Sequence, residues 1–357
     1  MLKIGLLGYG TVGRSLAKLL AERDAGIELV HILRRPGKAG GPLMTDRIED
    51  ILDDPAIDVV VDVLSGTEPS GEYMRRAMEA GKGVVTANKA ALALHYEELT
   101  ALARERNVPF LFEASVGGGI PWIENLKKAV RVDRIERMSG ILNGTGNYII
   151  DRMERFGMEF DQALAEAQAK GYAEADPTAD IGGYDVANKA IISASVAMGA
   201  PVHAAFPVLG IDRISKAFLD DLRRSGKTLR HMMLFRRNAK HYALGVVPVV
   251  LPLGSIEANV RDNFNCATLA GDIAGELKFY GQGAGGRPTA DAVLQDLTSI
   301  RTRMVEEVSE SLPISYDASL LRGRGVTPEG VFRDMTLAEL ADLAREKNVF
   351  LAFEPED

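Results

Sequence analysis

The sequence contains a single cysteine, Cys266, among 357 residues. One thiol excludes an intramolecular disulfide and a cysteine-based zinc site. Long hydrophobic runs are also missing: there is no stretch of about 18 apolar residues, and the N-terminus begins directly with a predicted strand. We therefore expect a soluble cytoplasmic protein without a membrane partner.

Positive charge is in deficit, since 42 Lys and Arg stand against 50 Asp and Glu, giving a formal net charge of −8 at pH 7. A non-specific nucleic-acid binder needs a basic face to neutralise phosphates, so nucleic acid is not an expected partner. Hydrophobic residues make up 46% of the chain and charged residues 26%, which is typical of a globular protein. The length predicts about two domains.

The first third of the chain alternates between predicted strands and helices. Leu2–Leu7 and Ile27–Leu33 are apolar runs typical of buried parallel strands, and apolar residues recur at helical spacing between them. Further strands are predicted at Val59–Leu64, Gly83–Thr86 and Val108–Phe112, and further helices at Glu72–Ala80 and Tyr96–Arg106. This alternation predicts an α/β dinucleotide-binding domain over residues 1–130, with a Rossmann-type doubly wound parallel sheet.

After Pro121 the pattern becomes α+β, which predicts a substrate-binding and dimerisation domain over residues 131–287. Its predicted elements are helices at Leu126–Val130, Asn147–Lys170 and Tyr184–Met198, and strands at Ile135–Leu142, 242–253 and 268–280. A helix at Thr289–Val305 is expected to return residues 288–315 to the first domain. Residues 316–357 form a tail with a helix capped by Thr336 and a strand at Val349–Phe353, to which the sequence assigns no role.

A glycine pattern directly follows the first predicted strand. Gly8, Gly10 and Gly13 form G-x-G-x-x-G at the start of a predicted helix, with Thr11 and Val12 between them. In this context the glycines permit a tight turn, close approach of backbone to a pyrophosphate, and close packing of helix on strand. The helix N-terminus supplies N–H donors to the phosphates, so the pattern predicts a dinucleotide site.

The end of the second predicted strand indicates which dinucleotide binds. An NAD site places Asp or Glu there to hold the ribose 2′-hydroxyl, whereas this chain has Arg34 and Arg35. Two guanidinium groups suit the 2′-phosphate of NADP, with which they form charge-assisted hydrogen bonds. We expect NADP in preference to NAD; the alternative is a solvated basic turn.

Two further turns carry groups suited to chemistry. Lys89 follows the predicted strand Gly83–Thr86, at the carboxyl edge where open α/β sheets bind ligands. Thr145 lies in a strand-to-helix turn of small residues, where backbone N–H groups and the hydroxyl suit a carboxylate. Without other motifs, Lys89 would be an ordinary residue at a helix start.

Asp185 and Lys189 are four residues apart on a predicted helix and therefore share one face. On an exposed helix they would be an ordinary ion pair of little energetic value. Glu174, Asp176 and Asp180 concentrate negative charge just before this helix, which suits a substrate ammonium. This neighbourhood favours a site in which Lys189 donates a proton.

Six segments in the first 300 residues resemble, in the same order, the signatures of the homoserine dehydrogenase family. They are Gly8–Gly13, Val85–Lys89, Glu113–Pro121, Leu142–Ile149, Gly171–Lys189 and Tyr280–Thr289. The resemblance implies an oxidoreductase that reduces L-aspartate 4-semialdehyde to L-homoserine with NAD(P)H. This reaction belongs to threonine and methionine biosynthesis.

Carried over to this sequence, the resemblance implies roles for individual residues. The catalytic residues would be Lys89, Lys189 and Asp185. The substrate-binding residues would be Glu174, Asp180, Tyr172, Gly144 and Thr145. The cofactor would contact Gly8, Gly10, Thr11, Val12, Gly13, Arg34, Arg35, Ser65, Gly66, Thr67, Lys89 and Gly283. A sodium ion would bind the Glu113 carboxylate and the carbonyl oxygens of Val116 and Gly118.

The chain departs from the family in three places. Leu253–Asn265 lacks an expected His-Pro-Leu-Ala run, Gln282 replaces a usual proline, and the tail after about residue 315 is unlike the family's regulatory ACT domain. The tail therefore gives no basis for expecting inhibition by threonine. Two alternatives stay open: a dehydrogenase of the same fold acting on another small amino acid or semialdehyde, and an NADP-binding sensor without catalysis.

A homodimer through the second domain is also expected. Several strands within about 150 residues must have a sheet face or edge covered, and association of two copies is a common way to cover it. The family resemblance implies the same assembly.

Overall fold

The computed structural model describes residues 1–38, 40–304 and 314–356. The elements up to residue 129 are β1 (Leu2–Leu7), α1 (Thr11–Glu22), β2 (Ile27–Leu33), β3 (Met44–Thr45), α2 (Glu49–Leu52), β4 (Val59–Asp62), α3 (Ser70–Glu79), β5 (Gly83–Thr86), α4 (Lys89–Arg106), β6 (Phe110–Leu111) and α5 (Trp122–Ala129). The next are β7 (Ile135–Ile141), α6 (Gly144–Phe156), α7 (Phe160–Ala169), α8 (Thr178–Ile181), α9 (Tyr184–Met198), α10 (Lys216–Arg224), β8 (Lys227–Arg237), β9 (His241–Pro252), β10 (Phe264–Gly271) and β11 (Gly275–Gln282). The last are α11 (Gly286–Thr302), β12 (Ser315–Tyr316), β13 (Arg322–Thr327), β14 (Gly330–Thr336), α12 (Leu337–Lys347) and β15 (Ala352–Pro355).

The chain forms two compact units. The first comprises the described residues of Met1–Lys128 and Ala284–Val308, and the second those of Ala129–Gly283 and Ser309–Asp357. Helix α11 thus belongs to the first unit, and the tail belongs to the second. Residues 305–313, which include the predicted helix end at Val305 and most of the predicted return after α11, lie outside the described residues.

The first unit is built on a sheet of six parallel strands in the order β3-β2-β1-β4-β5-β6. This confirms the doubly wound α/β fold. The order of the strands reverses between β1 and β4, and in such sheets the ligand site lies outside the carboxyl ends of the strands at that point. Ile4 and Leu6 of β1 are fully buried in one cluster with Val293 and Leu297 of α11.

The second unit is built on a sheet in the order β11-β10-β7-β8-β9-β15-β13-β14, with β12 beside β9. Both faces of β9 are covered within the chain. Val250 packs in a cluster with α6, α7 and α10, whereas Val249 packs with Leu337 and Leu340 of α12. The tail therefore supplies strands of this sheet and a helix over one of its faces, which completes the expected α+β unit.

Several predicted elements have different bounds in the structure. The single helix predicted at Asn147–Lys170 is two helices, because α6 ends at Phe156 with Gly157 as its C-cap, and Glu159 caps α7 through a capping box with Gln162. The strand predicted at 268–280 is the β10–β11 hairpin. Helix α10 and strands β8, β13 and β14 had no sequence prediction. No helix in the described part of the chain is long and apolar enough to cross a bilayer.

Candidate active site

The glycine pattern forms the turn from β1 into α1. Gly8 has a φ of 101°, and a Cβ on Gly13 would lie 2.3 Å from the Gly8 carbonyl oxygen. Neither position accepts a side chain without moving the backbone. A Cβ on Gly10 would meet no atom within 4 Å, so this residue is open to an approaching ligand. Gly10 also caps α1 without a side-chain hydrogen bond, which leaves the first turn, with Thr11 and Val12, suited to an anion.

A cavity of about 640 Å³ lies beside this turn. Gly8, Gly10, Arg34, Arg35 and Ser65 all line it, so the structure brings together five of the predicted cofactor residues. The Arg34 guanidinium lies 5.7 Å from the centre of the Tyr9 ring. Lys38 and Asp46 also line the cavity.

The loop that carries Ser65, Gly66 and Thr67 is anchored by Asp62, a fully buried residue that the sequence analysis missed. Its Oδ2 accepts hydrogen bonds from Ser70 Oγ at 2.5 Å and Thr86 Oγ1 at 2.9 Å, and its Oδ1 accepts from Leu64 N at 3.1 Å. Burial raises the pKa of the Asp62 carboxyl. The signal available in the sequence was a single aspartate within the apolar run of the predicted strand Val59–Leu64.

Lys89 is the first residue of α4 and is half-buried. Asn88 caps this helix, since its Oδ1 accepts from Ala91 N at 3.2 Å, while its Nδ2 donates to the Gly66 carbonyl at 2.7 Å. One amide thus fixes both the position of Lys89 and the loop containing Gly66. The cap also explains why α4 begins seven residues before the predicted start at Tyr96.

The buried Glu113 side chain caps the N-terminus of α5. Its Oε1 accepts from Ile123 N at 3.1 Å and its Oε2 from Glu124 N at 2.6 Å, while burial raises the pKa of this carboxyl to about 7. Val116 and Gly118 lie in the loop between Glu113 and α5. The described residues contain no cluster of three His, Cys, Asp or Glu side chains suited to a metal ion, so an ion held by Glu113 would need main-chain oxygens.

Asp185 and Lys189 form a buried ion pair on α9. Their side chains are only 8% and 9% exposed, and Lys189 Nζ donates to Asp185 Oδ2 at 2.7 Å. Lys189 Nζ also donates to the carbonyl oxygen of Leu142 at 2.6 Å. An ammonium has three N–H donors, so these two bonds leave one for a further acceptor. The pair is therefore buried, and the alternative of an ordinary exposed ion pair does not apply.

Asn143 joins this pair to the acidic segment. Its Oδ1 accepts from Gly146 N at 2.6 Å and caps α6, while its Nδ2 donates to Asp180 Oδ1 at 2.7 Å and to Asp185 Oδ2 at 2.9 Å. Asn143 was not among the residues predicted from the sequence. An asparagine between a predicted strand and a glycine-rich helix start was the signal that could have found it.

Among the other predicted substrate residues, Gly144, Thr145 and Tyr172 lie at the start of α6. Thr145 Oγ1 donates to the Tyr172 carbonyl at 2.6 Å, so this hydroxyl holds the acidic segment instead of standing free for a carboxylate. A Cβ on Gly144 would lie 2.7 Å from the Asn263 carbonyl oxygen. Tyr172 and Glu174 are exposed, and the Glu174 side chain makes no hydrogen bond to the described residues.

Gly283 lies directly after β11. A Cβ there would lie 1.9 Å from the amide nitrogen of Asn265, which is fully buried. The structure therefore gives Gly283 a packing role.

Comparison with known proteins identifies similar sequences and structures. A family model described as homoserine dehydrogenase matches residues 121–298, and one described as homoserine dehydrogenase, NAD binding domain, matches residues 8–113. A curated homoserine dehydrogenase of Pseudomonas aeruginosa is 38% identical over 342 residues, covering 91% of this chain and 78% of that protein.

Two solved structures extend the comparison to the fold. A homoserine dehydrogenase from Thiobacillus denitrificans has a TM-score of 0.88 at 31% identity, covering 100% of this chain and 98% of that one. A hyperthermophilic archaeal homoserine dehydrogenase in complex with NADPH has a TM-score of 0.74 at 28% identity, covering 85% of this chain and 98% of that one. The first of these matches includes the tail that the family models leave out.

Proposed function

Because the chain belongs to the homoserine dehydrogenase family, we propose roles for its residues in interconverting L-aspartate 4-semialdehyde and L-homoserine. The enzyme is an oxidoreductase with a nicotinamide cofactor, which supplies the hydride when the aldehyde is reduced. The aldehyde oxygen then gains negative charge and needs a positively charged hydrogen-bond donor.

The buried Lys189–Asp185 pair is the observation that supports Lys189 as this donor. Two of its N–H groups are held by Leu142 and Asp185, which leaves the third for the substrate oxygen. Proton transfer from Lys189 to the developing alkoxide gives the alcohol, directly or through a water ordered by Asp185. Lys89, at the carboxyl edge of the parallel sheet, is the second proposed catalytic lysine.

The charges of the second unit suit the two ends of an amino acid. Glu174 and Asp180 are proposed to bind the substrate ammonium. The backbone N–H groups of Gly144 and Thr145, at the N-terminus of α6, are proposed to bind its carboxylate. Tyr172 is proposed to form part of the wall of the substrate pocket.

NADP is the proposed cofactor in preference to NAD. Arg34 and Arg35 line the same cavity as the glycine turn, at the strand end where an NAD site would carry an acidic residue. The NADPH complex of the archaeal homoserine dehydrogenase is consistent with this preference. The remaining proposed contacts are Thr11, Val12, Ser65, Gly66, Thr67, Lys89 and Gly283.

A sodium ion is proposed at Glu113, Val116 and Gly118. The Glu113 carboxylate accepts backbone N–H groups at the start of α5 and has four lone pairs in all, so the residue retains the capacity to bind a cation. Sodium chloride should raise the melting temperature of the wild-type protein more than choline chloride at equal ionic strength. Glu113→Gln should remove that difference, and a difference that persists in the variant would place the ion elsewhere.

A homodimer through the second unit is proposed at the edge strand β11. The faces of β9 are covered within the chain, whereas β11 exposes Leu277 by 43% and Tyr280 by 57% on a strand with one unpaired edge. Sedimentation at micromolar concentration tests the assembly, and a monomer there would contradict it. A cytoplasmic location stays a prediction.

The activity is tested by mixing the purified protein with NADP and homoserine at alkaline pH and following the absorbance of the reduced nicotinamide. Other small amino alcohols serve as controls, and faster turnover of one of them would identify a different substrate within the same fold. Saturable NADP binding without turnover of any of them would instead indicate a sensor.

A further inference from the structure

Asn143 makes three hydrogen bonds that fix which end of its side-chain amide faces which neighbour. The Gly146 N–H can only donate, so Oδ1 must be the atom facing it. The carboxylates of Asp180 and Asp185 can only accept when ionised, so Nδ2 must face them. A flipped amide is unfavourable because it would place its oxygen against two carboxylates. In the observed orientation both N–H hydrogens are used, one for each carboxylate.

The two carboxylates repel each other, because both lie within hydrogen-bond distance of one nitrogen atom. The Asn143 amide lies between them and offers each one a hydrogen. Asp185 Oδ2 accepts from both Asn143 and Lys189, so the direction of the carboxylate that holds the lysine depends on Asn143. Asn143 is itself 5% exposed, which shields these bonds from water.

We propose that Asn143 is a positioning residue that fixes the Asp185–Lys189 pair and Asp180 relative to each other. A substrate bound at Asp180 is then correctly placed for proton donation by Lys189. This inference rests on the proposed catalytic role of Lys189. It assigns to Asn143 a function beyond capping α6.

The variant Asn143→Asp separates the two roles. Aspartate is as good an N-cap as asparagine, and its charge favours a helix N-terminus, so a residue that only caps α6 would tolerate the change. An ionised aspartate cannot donate to Asp180 or Asp185 and adds a third negative charge beside them. We expect kcat for homoserine oxidation to fall at least tenfold at about pH 8, in a variant that circular dichroism shows to be folded.

The pH dependence of kcat in Asn143→Asp distinguishes the two roles, because loss of the α6 cap alone would not change it. The charged and titratable groups around Asn143 are Asp180 of α8, Asp185 and Lys189 of α9, and the buried His231 of β8, whose Nδ1 lies 4.0 Å from the Cβ position of Gly146. As the pH falls, the carboxylate cluster of Asn143→Asp takes up a proton, and its O–H replaces a lost donor. The ratio of variant to wild-type kcat should therefore rise from about pH 9 to about pH 6.

Two further variants complete the experiment. Asn143→Ser keeps an acceptor for Gly146 but replaces the two amide N–H donors by one hydroxyl on a shorter side chain, so its kcat should also fall. It provides the test if Asn143→Asp does not fold. Ser215→Asp is the matched control, because Ser215 caps α10 through a bond from Phe218 N and lies outside the site. Its kcat should match wild type.

The outcomes are distinct. Wild-type kcat in a folded Asn143→Asp or Asn143→Ser variant, alongside an inactive Lys189→Ala, would overturn the inference while leaving the catalytic lysine in place. Full turnover in Lys189→Ala would withdraw the catalytic assignment, and the inference with it. A lower kcat in Asn143→Asp with no recovery at lower pH would also overturn the inference, because protonation would then restore a donor without restoring activity.

Discussion

His231 Nε2 donates a hydrogen bond to the carbonyl oxygen of Leu209 at 2.9 Å, which fixes the tautomer of a fully buried imidazole. Burial lowers the pKa of His231 from 6.5 to about 4. The folded protein thus keeps this ring neutral where an unfolded chain would already bind a proton. His231 makes the stability of the second unit depend on pH.

Lowering the pH from about 6.5 to about 4 should destabilise the protein through His231. The unfolded state binds more protons in this range, so the free energy of unfolding falls as pH falls, by up to about 3 kcal/mol. His231→Gln retains a donor for Leu209 and should flatten this part of the dependence, measured by urea unfolding at several pH values. The exposed His203→Gln is the control, and equal slopes in both variants would show that His231 contributes nothing.

Lys189→Ala and Lys89→Ala should each lower kcat by at least about 100-fold, because loss of a general acid costs about 10²–10⁴ in rate. Asp185→Asn should also lower kcat, since an amide does not balance the lysine charge. Steady-state kinetics with circular dichroism as a check on folding measures both effects, with the exposed Lys240→Ala as control. Wild-type turnover in both lysine variants would leave a structural ion pair and no catalytic role.

Replacing Arg34 by Asp and Arg35 by Ser should weaken NADPH binding by about 2–4 kcal/mol, from roughly 1–2 kcal/mol for each charge-assisted bond lost. NADH binding should change much less, because NADH lacks the 2′-phosphate. Affinity and kcat must be measured separately, since arginines that hold NADP too tightly would make it an inhibitor while NAD supports turnover. The exposed Arg23→Ser is the control, and equal losses for the two cofactors would contradict the assignment.

Glu174→Ala should raise KM for homoserine with little change in kcat. Its exposed carboxylate is free to meet the substrate ammonium, and that contact exists in the ground state and the transition state alike. Glu174→Gln should behave similarly, because it removes the charge and keeps the shape. An unchanged KM in both variants would leave Asp180 as the only proposed partner of the ammonium.

Sequence patterns predicted the parallel sheet well because its strands are rich in apolar residues and alternate regularly with helices along the chain. Ile27–Leu33 and Gly83–Thr86 have the predicted bounds in the structure, as does the helix Tyr184–Met198. The second unit was harder to predict, because its strands are long, antiparallel and partly formed by the tail. β15 pairs with β9 about 100 residues earlier, a contact that no local pattern indicates.

The residues of the candidate site also divide into those that local motifs indicate and those that depend on contacts between distant parts of the chain. Motifs indicated the glycine turn, the arginines and the Asp185–Lys189 spacing, since each depends on neighbours in sequence. Asp62, Asn88 and Asn143 were missed because their importance lies in partners that folding brings near, such as Thr86, Gly66 and Asp180. Only burial showed that the ion pair of α9 is not an exposed one.

The path of the chain between its two units sets the order in which they can be completed during synthesis. The core of the first unit contains Ile4 and Leu6 together with Val293 and Leu297, so a nascent chain of 128 residues lacks one side of that core. The second unit in turn needs β15, which ends at Pro355. Domains usually fold one after another as they leave the ribosome. Here the N-terminal unit waits for residues near 300, and the second unit reaches its final packing only after residue 355 has left the ribosome.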